Sequence, residues 1–345
     1  MSEPRVGWRV LLGRWVTALR GCNVPEVRFA DPVSRWLVIS RACVLSMTLS
    51  SALAGVLLAA ERAGRVNWLA ATLCTAGLAA AHLSNNLLND WTDTRRGVDT
   101  EDYPRARYST HPLLGGLTTP GRLLAAALAL LGLAAAVMAT LLLLRGWLVA
   151  LFALAGLALS LAYTGLLKWH GLGELAALLA WGPLMIGGTA YVCSGRLDPA
   201  FFAASLPYGL AVASVLVGKH IDKREADAQK GVRSVPVLLG EERSRALTLG
   251  LFVAFYALTV ALAALRLTGP FVLLTLASLP RLVRVWKVFR RPRPASPPAD
   301  WPVWPLWYVG WAMYLNRLAG GLLVLGLLGN VLLRLFPFLL RRRRL

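Results

Sequence analysis

Charged residues are scarce in this chain of 345 residues, at 16% of the composition. Hydrophobic residues make up 57%, and the mean hydropathy is +0.58. A soluble domain rarely has such a composition, because its water-exposed surface carries more charge than this. The scarcity of charge therefore argues against a soluble globular protein and favours a chain that lies in a membrane.

Cysteine is also rare, with no CxxC pair among the four residues Cys22, Cys43, Cys74 and Cys193. Most of them fall in apolar runs, where a small uncharged side chain packs well. We therefore expect neither a cysteine-based metal site nor a disulfide framework. No Ser-His-Asp or Cys-His arrangement stands out either, so nothing in the sequence indicates nucleophilic catalysis by the protein.

Acidic residues are outnumbered by basic ones, 17 to 37, which gives a net charge of +20. Such an excess can indicate nucleic-acid binding, but here the Lys and Arg residues lie in loops between apolar runs. With the N-terminus in the cytoplasm, most internal cations fall on that side, in loops 90–122, 219–245 and 281–300. This is the positive-inside pattern. The charge therefore predicts topology and contact with anionic membrane lipids, and no nucleic-acid partner.

Long uncharged runs dominate the rest of the chain, and each is close to the roughly 20 residues that a membrane-spanning helix needs. They lie at about 42–60, 66–89, 123–144, 146–167, 175–195, 199–218 and 246–265, with shorter runs at 267–280, 301–316 and 318–333. This pattern predicts an all-α, polytopic membrane bundle. Nine spans would put the C-terminal "RRRRL" outside, so either 301–333 crosses twice or the tail departs from the charge rule.

The two ends of the chain differ from the apolar middle. The first 35 residues carry six Arg residues and no apolar core of the kind that a cleavable signal peptide has. We expect them to form a basic cytoplasmic or interfacial segment. A membrane domain over 36–336 and a basic tail over 337–345 complete the expected organisation.

The stretch "NNLLNDWTDTRRGVDTED", residues 85–102, places polar side chains directly after an apolar run. On a helix, Asn86, Asn89, Asp90 and Asp93 fall at i, i+3, i+4 and i+7, which is one face. Polar groups at membrane depth are costly unless they face a cavity, so this face is a candidate site. Carboxylate and amide oxygens suit a hard cation such as Mg²⁺, which usually shares its coordination with substrate phosphates. A solvated helix end is the alternative interpretation.

A second acidic cluster, "GKHIDKREADAQKGVRSVPVLLG" at 218–240, also follows an apolar run. It combines Asp222, Glu225 and Asp227 with six basic or imidazole side chains, which are Lys219, His220, Lys223, Arg224, Lys230 and Arg233. Carboxylates that hold metal ions and cations that neutralise phosphate oxygens are what a diphosphate site requires. Pairing of loop charges, such as Lys223 with Asp227 at i+4, would account for some of these residues.

Both clusters resemble the motifs of a known family. "NDWTDTRRGVD" resembles the first aspartate-rich motif of the UbiA superfamily of intramembrane prenyltransferases, and "DAQKGVRSVPVLLG" resembles the end of the second. "STHPLLGGLTTP" and "GLGELAALLAWGPLMIGGTAYV" resemble the 1,4-dihydroxy-2-naphthoate polyprenyltransferase branch. The resemblance covers roughly residues 36–330. It implies about nine helices around a central cavity that opens to the cytoplasmic side.

The resemblance also implies the chemistry. Mg²⁺ held by the two motifs would bind an isoprenyl diphosphate, and the charge of metals and cations would draw off the leaving diphosphate. The resulting allylic cation would be attacked by an aromatic quinone precursor. Other acceptors of the family stay open at this point: a carotenoid, a chlorin or a sugar phosphate. The active site would face the cytoplasm from a bacterial plasma membrane.

Residue roles follow from the same resemblance. The catalytic carboxylates would be Asp90, Asp93, Asp222 and Asp227. One Mg²⁺ would be held by Asn86, Asp90 and Asp93 with help from Asn89 and Asp99, and a second by Asp222 and Asp227. Candidates for contact with the diphosphate or its prenyl chain are Arg41, Arg107, Tyr163, Lys168, Lys219 and Arg233.

Two positions depart from the family pattern. Lys223 stands where the second motif commonly has an acid, with Asp222 one residue earlier, and His111 stands where Arg often precedes Pro. In a continuous helix Asp227 points well away from Asp222. We therefore expect the helix to loosen near Asp227, so that this carboxylate can turn inward.

Two other classes of protein are less consistent with the sequence. A CDP-alcohol phosphotransferase is also an intramembrane, Mg²⁺-dependent enzyme, but its DGxxAR…GxxxD signature is absent. A membrane carrier or scaffold would not need two clusters of carboxylates. The sequence therefore favours an intramembrane prenyltransferase.

Overall fold

The computed structural model describes residues 7–299, 301 and 304–336, apart from the side chains of residues 164, 165 and 168. The predicted tail over 337–345 and the side chain of Lys168 lie outside the described residues. Within the part that is described, the secondary structure is helical and contains no strand. The all-α class predicted from the apolar runs is confirmed.

The α-helices of the described residues follow one another along the chain with short connections. They are α1 (Trp8–Gly21), α2 (Pro32–Ile39), α3 (Leu45–Leu58), α4 (Trp68–Arg95), α5 (Pro104–Tyr108), α6 (Pro120–Arg145), α7 (Leu148–Gly165), α8 (Gly173–Leu179), α9 (Gly188–Ser194), α10 (Pro199–Gln229), α11 (Val235–Leu239), α12 (Glu241–Ala264), α13 (Leu279–Phe289) and α14 (Tyr308–Leu335). π-helical turns at Ala59–Ala63 and Ala180–Gly187 continue α3 and join α8 to α9, and a 3₁₀ segment covers Pro270–Ser278.

Six helical stretches of the described chain are long and apolar enough to cross a membrane. They are Ala42–Ala63, Pro120–Arg145, Gly173–Ser194, Pro199–Gln229, Glu241–Ala264 and Tyr308–Leu335. The expected number of nine spans stays a prediction. α14 is one helix of 28 residues, roughly 42 Å long at 1.5 Å per residue. The alternative in which 301–333 crosses twice is therefore wrong.

The chain divides into two compact units, of which unit 1 comprises Met1–Ser46, Ala79–Ala134 and Pro294–Leu306. In unit 1 the Asp31 carboxylate receives the backbone N–H of Ser34 at the start of α2, with Pro32 in the first turn. The same carboxylate accepts a hydrogen bond from the indole of Trp15 on α1. An N-terminal cap and a proline at N1 are typical helix starts, and here they also fix α1 against α2.

The core of unit 1 explains why the N-terminal segment is ordered. Ala18, Val27 and Ile39 from this segment are buried together with Leu87 of α4 and Leu123 of α6. Burial of apolar area stabilises the packing by about 25 cal/mol per Å². The N-terminal elements are thereby held against the half of α4 that carries the first acidic motif.

Cys22 and Cys43 form a disulfide in unit 1. The prediction that the cysteines belong to no disulfide framework is therefore wrong for this pair. The two residues are 21 positions apart in sequence, and only the packing of α1 beside the turn before α3 brings them together. Cys74 and Cys193 are buried free cysteines, as expected for small core residues.

Unit 2 comprises Met47–Leu78, Ala135–Arg293 and Trp307–Leu345. Its central helix is α10, which packs against α8, the π segment Ala180–Gly187, α12 and α14. Gly182 and Gly209 permit the close approach, since a Cβ on Gly209 would lie 3.3 Å from the Cα atom of Gly182. Small residues at helix contacts are typical of membrane bundles, because dispersion contacts there replace the hydrophobic effect.

α10 continues without interruption to Gln229. The expectation that this helix loosens near Asp227 is therefore wrong. The structure buries Asp222 and Asp227 while leaving Glu225 exposed. A helix in a membrane protein can bury two of its faces when other helices or a returning loop cover both of them.

Candidate active site

The first acidic motif lies on the last turns of α4, as its helical spacing predicted. Asn86 and Asp90 are buried, and Asn89 and Asp93 are half-buried. The helix ends at Arg95, and Gly97 then adopts a positive φ of 68°. This turn folds the chain back, so that the backbone N–H groups of Val98 and Asp99 donate to the carbonyl oxygen of Asp93. Asp99 is thereby returned to the end of α4.

Asp90 is held by two arginines. Arg105 donates to both carboxylate oxygens, from Nη2 to Oδ2 at 2.8 Å and from Nε to Oδ1 at 3.3 Å. Arg41 contributes a third contact, 3.1 Å from its Nη2 to Oδ1. Asp90 is only 2% exposed and Arg105 only 4%. A buried carboxylate needs such partners, because desolvation is costly for an unpaired charge.

Arg105 was not among the residues predicted from the sequence, whereas its neighbour Arg107 was. Pro104 begins the short α5, which directs Arg105 inward and leaves Arg107 exposed. Burial alone would lower the pKa of the Arg105 guanidinium, but the Asp90 carboxylate outweighs it and raises the pKa above its ordinary value. The sequence signal was a buried acid that needed a cation, with two candidates in "PRARY".

Arg41 reaches the first motif, as expected for an arginine in an apolar environment that needs a partner. Its backbone is in the left-handed region, with φ at 54°, and its Nη2 also donates to the carbonyl oxygen of Asn86 at 2.8 Å. The Asn86 amide donates in turn to the carbonyl oxygen of Ser40. The Nε of Arg41 is buried and has no hydrogen-bond partner. A buried cationic donor without a partner is suited to an incoming anion.

Asp99 and His111 complete the buried group in unit 1. Oδ2 of Asp99 lies 3.2 Å from Nε2 of His111, and both side chains are buried. One donor atom from each of Asp90, Asp99 and His111 lies within 4.8 Å of the others. Two convergent carboxylates fit a divalent cation, and the nearby amide and carboxylate of Asn86 and Asp93 extend an oxygen-rich donor set. The residues present therefore fit Mg²⁺.

The second motif, in unit 2, contains two carboxylates with different surroundings. Oδ1 of Asp222 accepts the backbone N–H of Tyr308, and Oδ2 accepts that of Val309, each at 2.9 Å. These are the first N–H groups of α14, which have no partner within their own helix. Asp222 therefore caps α14 from a neighbouring helix.

Asp227 lies beside the turn that follows α10. Its Oδ2 accepts from the Ser234 hydroxyl at 3.5 Å, and its Oδ1 is 3.7 Å from Nζ of Lys223. Its carbonyl oxygen accepts the N–H of Val232, after Gly231 turns with φ at 74°. The side chain is buried, so a charged partner or a cation is expected beside it.

The remaining candidates of unit 2 are less enclosed. Lys219 and Tyr163 are half-buried, and Arg233 is exposed. Sequence reasoning missed a buried pair, in which Nδ1 of His220 lies 2.7 Å from Oε1 of Glu174 on α8. This contact ties α8 to α10 next to Lys219. Its signal was a lone Glu in "GLGEL", within an otherwise apolar run.

Comparisons with known proteins agree with this arrangement. The model of the UbiA prenyltransferase family matches residues 48–306. The 1,4-dihydroxy-2-naphthoate octaprenyltransferase of Mycobacterium tuberculosis is 32% identical over 234 residues, which cover 66% of this chain and 78% of that protein.

Solved structures show the same fold. The apo structure of a UbiA homolog from Aeropyrum pernix K1 matches with a TM-score of 0.61 at 20% identity, covering 85% of this chain and 98% of that chain. A UbiA homolog from Archaeoglobus fulgidus, bound to GPP and Mg²⁺, matches with a TM-score of 0.57 at 14% identity and covers 86% and 99%. The chain thus belongs to the UbiA prenyltransferase family and is an integral membrane prenyltransferase.

Proposed function

We propose that the protein transfers an isoprenyl chain from an isoprenyl diphosphate to an aromatic quinone precursor of the naphthoate type, in a Mg²⁺-dependent reaction. The acceptor class is supported by the similarity to the naphthoate octaprenyltransferase of Mycobacterium tuberculosis. The Archaeoglobus homolog that binds GPP and Mg²⁺ supports the donor and the metal. The length of the isoprenyl chain is left open.

The observation that carries the proposal is the buried group around Asp90 in unit 1. It places convergent carboxylates next to the Nε donor of Arg41, which has no hydrogen-bond partner. A metal site and a cationic donor side by side are what a diphosphate needs. A carrier or scaffold would gain nothing from burying these charges, whose desolvation is costly.

The proposed metal ligands at the first motif are Asn86, Asp93 and Asp99, with Asn89 nearby. Asp90 lines the same site, and its two bonds to arginines assign it to holding Arg41 and Arg105 in place. At the second motif the proposed ligand is Asp227, whereas Asp222 caps α14. When bound, Mg²⁺ supplies positive charge that neutralises the diphosphate as it leaves.

The chain's own residues contribute charge and position rather than a nucleophile. The bond between C1 of the isoprenyl group and the diphosphate oxygen breaks, and its electron pair leaves with the diphosphate. Arg41 donates to the diphosphate oxygens, and Lys219 serves as a second cation. The aromatic carbon of the acceptor then bonds to C1, and the ring loses the substituent which that carbon carried. Arg107 and Arg233, which are exposed, contact the diphosphate only if their loops close over it, and Tyr163 and Lys168 are proposed to border the prenyl chain.

We also propose a location and an orientation. The related enzymes from bacteria favour the plasma membrane of a bacterial cell, with anionic lipids in contact with the basic loops. The Lys and Arg excess in those loops favours a cytoplasmic face for the diphosphate site.

The test is a transfer assay with the purified protein in lipid vesicles. Radiolabelled isoprenyl diphosphates of several lengths are supplied with Mg²⁺ and with one acceptor at a time: a dihydroxynaphthoate, a hydroxybenzoate, a chlorin, a carotenoid or a glycerol phosphate. Prenylation of the naphthoate alone is the expected result. Preference for a carotenoid, chlorin or phosphate acceptor would overturn the acceptor class but keep the enzyme class. Absence of transfer to every acceptor would contradict the whole proposal.

A further inference from the structure

Both ring nitrogens of His111 have partners. Nδ1 accepts the backbone N–H of Leu113 at 3.2 Å and that of Leu114 at 3.3 Å. On the opposite side of the ring, Nε2 is 3.2 Å from Oδ2 of Asp99. The imidazole is 1% exposed. His111 therefore connects the backbone of its own turn to a carboxylate of the candidate metal site.

The hydrogen bonds assign the tautomer. Nδ1 faces two N–H donors, so it must present its lone pair, and the ring proton is on Nε2. Nε2–H then donates to the carboxylate of Asp99. A metal ligand needs a lone pair, and neither nitrogen has one to offer here. The imidazole is close enough to Asp90 and Asp99 to be mistaken for a ligand, but its chemistry in this position is that of a donor to Asp99.

The turn that carries the imidazole is fixed from several directions. The N–H of Gly115 donates to the carbonyl oxygen of His111 at 2.8 Å, and a Cβ on Gly115 would lie 2.6 Å from that oxygen. Arg28 donates to the carbonyl oxygen of Gly115, and Arg35 to that of Leu117. The ring therefore cannot move away from Asp99 unless the turn rearranges.

We propose that His111 is a positioning residue: its Nε2–H holds Oδ2 of Asp99 so that Oδ1 is presented to the divalent cation. The inference rests on the proposed function, because it takes Asp99 to be a metal ligand. Groups that orient metal ligands in this way commonly contribute 10- to 100-fold to metal affinity. The role also accounts for a histidine at a position where the family often has arginine.

Two substitutions separate the two sides of the ring. In His111→Gln the amide nitrogen takes the place of Nε2 and keeps the donor to Asp99, but the acceptor for Leu113 and Leu114 is lost. In His111→Asn the amide oxygen takes the place of Nδ1 and keeps that acceptor, but the donor to Asp99 is lost. Each variant is therefore the matched control for the other.

Binding of Mn²⁺ alone, measured by loss of the free-ion EPR signal, gives a readout that does not depend on turnover. We expect His111→Gln to bind within about twofold of the wild type, and His111→Asn to bind about tenfold more weakly. Thermal stability should show the reverse order, with His111→Asn closer to the wild type. A purely structural histidine would lower metal affinity and stability together.

Several outcomes would overturn the inference. One is wild-type Mn²⁺ affinity in His111→Asn; another is equal loss of affinity in both variants. Coupling of a directly bound ¹⁴N nucleus to Mn²⁺ in pulsed EPR of the wild type would make His111 a ligand. If Asp99→Asn binds Mn²⁺ normally while Asp93→Asn does not, the metal proposal survives and the positioning role fails. If the wild type does not bind Mn²⁺, both are overturned.

Discussion

Arg105 donates to both oxygens of the Asp90 carboxylate, in a pair that is almost completely buried. Arg41 shares one of those oxygens, so the carboxylate faces two guanidinium groups. The buried charges compensate each other in this arrangement. Removing one partner would leave the others with an unbalanced buried charge, and this predicts a large effect on stability.

We expect Arg105→Ala to lower the free energy of unfolding by about 3 kcal/mol, because Asp90 loses its two-point partner. Arg107→Ala is the matched control, two residues away and exposed, and should change stability by less than about 0.5 kcal/mol. Thermal unfolding in detergent would measure both variants. Equal stability of the two variants would show that the buried pair does not contribute to the fold.

Asp93→Asn should abolish turnover while leaving the fold intact, because the substitution removes a carboxylate from the proposed metal site but keeps its size. We expect a loss of at least about 100-fold, as for the loss of other groups that stabilise developing charge. The transfer assay at saturating Mg²⁺ would measure it, with exposed Glu101→Gln as the control. EDTA should silence the wild type and Mg²⁺ should restore it. Activity retained in Asp93→Asn would refute the assignment of the first motif.

The second motif offers another test. Asp227→Asn should cost far more activity than Glu225→Gln, because Asp227 is buried beside the turn after α10 whereas Glu225 is exposed. Initial rates over a range of Mg²⁺ concentrations would show whether the defect lies in metal use. If Glu225→Gln proved the more damaging change, the exposed face of α10 would carry the site instead.

Asp222→Ala should act on stability rather than on metal use. The substitution leaves the N–H groups of Tyr308 and Val309 without acceptors, at a cost of about 2 kcal/mol. Thermal unfolding would report this loss, and the concentration of Mg²⁺ for half-maximal activity should stay at the wild-type value. A raised Mg²⁺ requirement with unchanged stability would mean that Asp222 binds metal rather than caps α14.

Topology can be tested on α10 alone, whose 31 residues extend roughly 47 Å and so exceed the thickness of the hydrocarbon core. Single cysteines in a cysteine-free background are placed at Ala228, after the second motif, and at Leu197, before the helix. Both positions are exposed. A membrane-impermeant thiol reagent should reach position 228 from the cytoplasmic face and position 197 from the opposite face, as the Lys and Arg excess predicts. Labelling of 228 from outside would reverse the proposed orientation.

Much of this protein could be predicted from local patterns. Apolar runs of about 20 residues indicate spanning helices, since the membrane interior leaves a helix few alternatives. The spacing of Asn86, Asn89, Asp90 and Asp93 placed them on one helical face, and α4 carries them all. Arg41 was expected to need a partner because an arginine in an apolar run is costly. These predictions depend on the helical period and on solvation, which are properties of neighbouring residues.

Which residues pair was decided by the tertiary structure. Arg105 rather than Arg107 bonds to Asp90 because α5 directs one of them inward, and Asp222 caps α14 because a helix 86 residues later begins beside it. Cys22 meets Cys43, and His111 meets Asp99, through turns that the sequence pattern did not specify. Helical periodicity fixes which way a side chain points from its own helix. The partner it finds depends on where distant segments return, and so on the packing of the whole unit.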